Sequence, residues 1–99
     1  MEIDRTNLGE NARTGIIITM VKTARKENSS FGEFGAIVAT LTLEKYTDKN
    51  LRRVFFNMLE RSELLRREVL VSEHVEDLLR IESNEGRTAK QIIKDKILQ

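Results

Sequence analysis

From Thr47 onward the side chains recur with the period of an α-helix, and this constrains the fold more than any other feature of the chain. Leu51, Val54, Phe55, Met58, Ser62 and Leu65 follow the i, i+3, i+4, i+7 spacing of one helix face, while Arg52, Arg53, Glu60, Glu63 and Arg67 fall elsewhere. Thr47 stands where a capping hydroxyl is wanted, and Asp48 follows in the first turn, where the helix dipole favours an acid. The spacing predicts one helix over residues 48–67. Val69 to Val71 then read as a brief extended link. Ser72 as a cap, with Val75, Leu78 and Leu79 as the buried stripe, predicts a second helix over 73–82. Ser83 to Gly86 interrupt it, and Ala89, Ile92, Ile93 and Ile97 form the stripe of a third helix capped by Ser83 or Asn84. The sequence contains no proline to break these periods.

The N-terminal half follows a different pattern. Residues 1–14, "MEIDRTNLGENART", are polar with turn-favouring Asn7, Gly9 and Asn11, and are expected to be a flexible arm. "GIIITMV", Gly15 to Val21, is a short, β-branched, continuous apolar run, the pattern of a strand buried on both faces. Lys22 to Gly35 has no sustained period and reads as a loop. "AIVATLTL" then alternates, with Ile37, Ala39, Leu41 and Leu43 on one side and Val38, Thr40 and Thr42 on the other, as a half-buried strand requires. The expected class is therefore α+β: two short strands in the N-terminal half and three helices after them, in one small domain over 15–99. Two strands make a poor sheet, so an exposed edge open to another chain follows from this reading.

Composition removes several classes of function. Seventeen basic against 16 acidic residues leave a net charge of only +1, too little for a polyelectrolyte binder, so nucleic acid or an anionic membrane would have to meet a local patch. The absence of cysteine removes disulfides, thiolate metal sites and cysteine nucleophiles. No apolar run approaches the roughly 20 residues of a membrane span, and the first residues lack a signal peptide's apolar core. A cytoplasmic protein with no membrane partner is expected.

No reaction is written in the side chains. His74, the only histidine, lies among Glu73, Glu76 and Asp77, and its neighbours supply too few ligands on one face for a metal; a solvated acidic first turn is the simpler reading. Acids are abundant, yet none stands in an apolar segment where burial would raise its pKa. No catalytic residue, cofactor or metal is assigned. The candidate contact residues are arginines: Arg52, Arg53, Arg66 and Arg67 on the long predicted helix, and Arg87 beside Gly86. Joined by Arg61 and Arg80, they would make a phosphate-contacting patch. With Glu60, Glu63 and Glu68 at pairing distances, they would instead make a solvated, salt-bridged face.

The succession "GIIIT", a loop with a phenylalanine, an alternating strand, "RRVFFNMLERS", a short helix and "EGRTAKQIIKDKI" resembles the C-terminal part of an AAA-type ATPase, its last sheet strands and helical lid, in the fungal and mitochondrial branch. Gly15 to Thr19, Arg53 with Phe55 and Phe56, and Gly86-Arg87 occupy the matching places, over most of residues 15–99. The resemblance implies a lid fold, with an arginine of the Gly-Arg pair facing a nucleotide or a neighbour. The chain departs from that family at its functional motifs. It has no G-x-x-x-x-G-K-[ST] phosphate loop, and no apolar run ends in paired acids. The first sensor's asparagine falls on Val21, and the arginine that senses a neighbour's phosphate falls on Ala36. The "GRTAKQIIKDKI" end is also similar to ribbon-helix-helix repressors, but those place one strand ahead of two helices.

An incomplete sheet, many apolar helix positions and no catalytic set predict a non-catalytic protein-interaction or self-association module, its partner a protein or a second copy in a homo-oligomer. The alternatives are a small nucleic-acid-binding regulator using the arginine-rich helix, and a degenerate AAA lid fragment.

Overall fold

A computed structural model describes residues 7–27 and 47–98. Five helices lie in them: α1, Glu10–Glu27; α2, Asp48–Arg61; α3, Glu63–Val71; α4, Val75–Arg80; and α5, Ala89–Ile97. The expected α+β class is overturned. Among the described residues there is no strand, only a single antiparallel bridge between Glu82 and Thr88, and Gly15 to Val21 lie in the middle of α1. The second expected strand falls outside the described residues, as does the part of the expected loop after Glu27, whereas Lys22 to Glu27 continue α1. The start of α1 also takes in Glu10 to Thr14, part of the expected arm.

The run "GIIITMV" is ambiguous because it is too short for its period to show, and it becomes unambiguous once Thr23 is included. Gly15, Ile16, Thr19, Met20 and Thr23 are the buried residues of α1, a spacing of 1, 3, 1 and 3 that only a helix produces. β-Branched residues lose rotamer freedom in a helix, so local propensity resists this outcome by a few tenths of a kcal/mol per residue. Burial of Ile16 and Met20, at roughly 1.5–3 kcal/mol each, outweighs it. The two threonines enter the core without orphaned hydroxyls. Thr19 Oγ1 donates to the Gly15 carbonyl at 2.6 Å, and Thr23 Oγ1 to the Thr19 carbonyl at 2.9 Å.

Gly15 is fixed by what lies opposite. A Cβ placed there would sit 2.8 Å from the His74 Cβ and 3.1 Å from Leu78 Cδ2, so only glycine lets α1 approach α4 this closely. Helix α1 packs on α3 and α4 and touches α2; α2 in turn meets α3 and α5, and α4 meets α5. Between them lies one core that includes Ile16, Met20, Leu51, Phe55, Leu59, Leu65, Val69, Leu78, Ile92 and Ile93. Phe55 and Phe56 meet edge to face, with ring centroids 5.7 Å apart. The ends of α1 are tied down by polar contacts. Lys26 pairs with the buried carboxylate of Glu68, and Ser62 Oγ donates to Glu27 Oε1 at 3.1 Å. At the other end, the Leu8 N–H donates to Asp48 Oδ2 at 3.1 Å.

The long helix expected over 48–67 is two helices. Ser62 has extended backbone angles, φ −112° and ψ 109°, and serves both neighbours. Its N–H donates to the Met58 carbonyl at 2.8 Å to close α2, and its Oγ accepts from the Leu65 N–H at 3.1 Å to open α3. The stripe of apolar positions runs through the break, which is why periodicity alone hides it. Val69 to Val71, read as an extended link, complete α3 instead. Thr47 caps α2 as expected, through a 3.3 Å bond from the Asn50 N–H. Ser72 accepts from the His74 N–H, but the helix it was expected to open starts later, at Val75. Thr88, not Ser83 or Asn84, caps α5, in a capping box with Gln91. Ala89, Ile92 and Ile93 are buried as the stripe predicts, whereas Ile97 is exposed.

Candidate functional site

The five candidate arginines do not form one surface. Arg66 turns back on the end of α2, its Nη1 donating to the Leu59 carbonyl at 2.6 Å and the Glu60 carbonyl at 3.3 Å, where it caps groups left open by the break at Ser62. Arg67 pairs with Glu63 one turn earlier on α3, at 2.9 Å. Arg87 lies 3.0 Å from Asp95 and 3.8 Å from Glu60. Arg53 is exposed, and Arg52 is buried at 7% exposure. Two of the five do meet: Arg53 and Arg87 line a cleft of about 280 Å³ with Phe56, Glu60, Asn84 and Ile92.

The Gly-Arg corner of that cleft is built by Ser83. Its N–H donates to the Arg87 carbonyl at 2.7 Å, and its Oγ accepts from the N–H groups of Glu85 and Arg87 at 3.3 and 3.1 Å. The reversal passes through Gly86 at φ +85°, a left-handed conformation that glycine adopts without strain. Asn84 Nδ2 reaches across to the Lys49 carbonyl at 3.3 Å and fixes the loop on α2. Gly86 thus serves a tight turn, and Arg87 is spent on two carboxylates.

A larger cleft, of about 570 Å³, lies at the amino end of α1. Residues 7–12 form one wall, Arg52 of α2 another, and Asp77, Arg80, Ile81 and Glu82 the third. Asp48 secures the first wall on the second: besides its bond from Leu8, its Oδ1 lies 3.7 Å from Arg13 Nε. Sequence reading finds Arg52, Arg80 and Asp77 singly but not their shared cleft, because the three walls come from segments far apart in the chain. No local signal joins them.

His74 is a packing residue here, half-buried with its Cβ against the Gly15 backbone and Nε2 3.4 Å from Glu73 Oε1. Among the described residues, no group of three His, Cys, Asp or Glu side chains is placed to hold a metal ion. None of the described helices is long and apolar enough to cross a membrane. Comparison with known protein families, curated proteins and solved structures finds no match to this chain. The likeness to an AAA lid therefore rests on the residues quoted above, of which Gly15 to Thr19 are helical here.

Proposed function

We infer that this chain is a non-catalytic protein-interaction module that meets a second copy of itself or a larger protein. Gly15 to Val21 are helical and offer no strand edge, and a different observation supports the reading. Helix α3 ends on Leu70 and Val71, exposed at 43% and 76%, and α5 ends on Ile97 with Leu98 as its cap, exposed at 66% and 74%. Covering such a side chain is worth roughly 1.5–3 kcal/mol, so each is a contact the folded chain leaves unused. The nucleic-acid alternative is weaker because the arginines it needs are dispersed: Arg66 and Arg67 serve α2 and α3, Arg87 serves Glu60 and Asp95, and Arg52 is buried.

Light scattering on a gel-filtration column tests the reading. The wild-type chain is expected to elute above its own 11.5 kDa, and the double variant Val71→Ser, Leu98→Ser to return to that mass with its helical circular dichroism unchanged. A single-chain mass at every concentration, with no captured protein that the same variant releases, overturns it.

A further inference from the structure

The large cleft at the amino end of α1 has the parts of a small-molecule site that the interaction reading does not use. It is an open groove of about 570 Å³. Arg52 lines it at 7% exposure, its Nε is buried without a hydrogen-bond partner, and the residue takes part in no ion pair among the described residues. A guanidinium so enclosed, with no carboxylate among the described residues within pairing distance, favours an anion where its side chain borders the cleft, although Nε itself is closed off from it. Glu10, Asn11 and Ala12 line the same cleft; as the first residues of an 18-residue helix, their N–H groups have no intrahelical acceptor and lie at the positive end of its dipole. Arg80 adds a second cation.

The surrounding acids narrow the ligand. Glu10, Asp77 and Glu82 outnumber the two arginines, which disfavours a dianion such as a phosphate monoester. They suit a molecule that offers an ammonium group as well as a carboxylate. We propose that this cleft binds a small zwitterion of the α-amino-acid class, its carboxylate held by Arg52, Arg80 and the opening turn of α1, its ammonium by Asp77 and Glu82.

Titration of the full ¹⁵N-labelled chain with free α-amino acids, acetate, methylamine and inorganic phosphate tests this. At least one amino acid is expected to give saturable amide shifts confined to residues 8–12, 52 and 77–82, with acetate weaker and methylamine silent. Arg52→Met lowers that affinity roughly tenfold or more, as loss of a charged hydrogen-bond donor should. Because that variant alters a buried side chain, exposed Arg80→Gln is the companion: it keeps the native dichroism and also weakens binding. Asp77→Asn brings amino-acid affinity down to that of acetate. The proposal is overturned if no probe gives local shifts by about 10 mM, beyond the millimolar end of specific affinity. Phosphate binding more tightly than every amino acid overturns it too, as does amino-acid binding that survives both arginine substitutions.

Discussion

Helices α1 and α2 carry similar apolar content but reach their helical state by different routes. Helix α2 is locally consistent. Thr47 caps it, Asp48 suits its first turn, and Leu51, Phe55 and Met58 lie along one face before any partner is considered. Helix α1 has Gly9 at its cap position, where there is no side chain to accept a bond, and carries β-branched Ile16, Ile17, Ile18 and Thr19 in succession. Neighbours compensate for what it lacks: His74 and Leu78 close on Gly15, Lys26 and Glu27 bind Glu68 and Ser62, and Asp48 holds Leu8. Helicity in α2 is favoured by its local sequence, whereas α1 draws more of its support from packing.

Core truncation is the strongest probe of that contrast. Phe55→Ala in α2 is expected to cost about 3–5 kcal/mol and Ile16→Ala in α1 about 2–5, both measured by urea unfolding. The two should differ in kind, since the Ile16 variant should also speed amide exchange along α1 while α2 stays protected. Equal exchange in both helices would mean that α1 does not depend on its docking.

Gly15→Ala sets local preference against tertiary fit in one residue. In an isolated helix alanine gains about 1 kcal/mol over glycine. Here the added carbon meets His74 at 2.8 Å, and overpacking of about 1–3 kcal/mol should reverse the sign, leaving a net loss near 1 kcal/mol. A rise in stability would disprove the close approach of α1 to α4.

Single hydroxyls give the smallest and most discriminating effects. Thr47→Ala should cost about 1 kcal/mol, because the Asn50 N–H loses its acceptor at the cap. Thr19→Val should change stability by less than about 1 kcal/mol, since its hydroxyl only back-bonds to Gly15 and the replacement adds an apolar methyl in the same space. Thermal melts of the pair would show whether the cap of α2 matters more than the buried hydroxyl of α1.

Legibility in the sequence follows the same division. The faces of α2 and α5 were readable because one solvent side and one core side leave a period: Leu51, Phe55, Met58, Ala89, Ile92 and Ile93 are buried as spaced. Arg52 was read as part of an outer face, yet α2 is touched by α1, α3 and α5, so its covered sector is wide enough to include it. Ile97 was read as core because it continues a stripe, but the stripe outlasts the surface that covers it. Ser62 fits a stripe and also caps, and only the bonds to Leu65 and Glu27 reveal the break.

Of the candidate site, Arg52 and Arg80 were visible as basic residues and Asp77 as an acid, each on its own segment. Their common cleft was not, since it depends on the amino end of α1 arriving there.

By itself, then, the sequence determined where α2 begins and which face of α2 and α5 goes inward, because caps and a 3.6-residue period act between near neighbours in the chain. Tertiary structure decided that "GIIITMV" is a helix, that Ser62 divides two others, and that Arg52 is enclosed beside the opening turn of α1. Those outcomes depend on the energy of contacts between segments far apart in sequence, and an apolar run carries no mark of which surface will cover it.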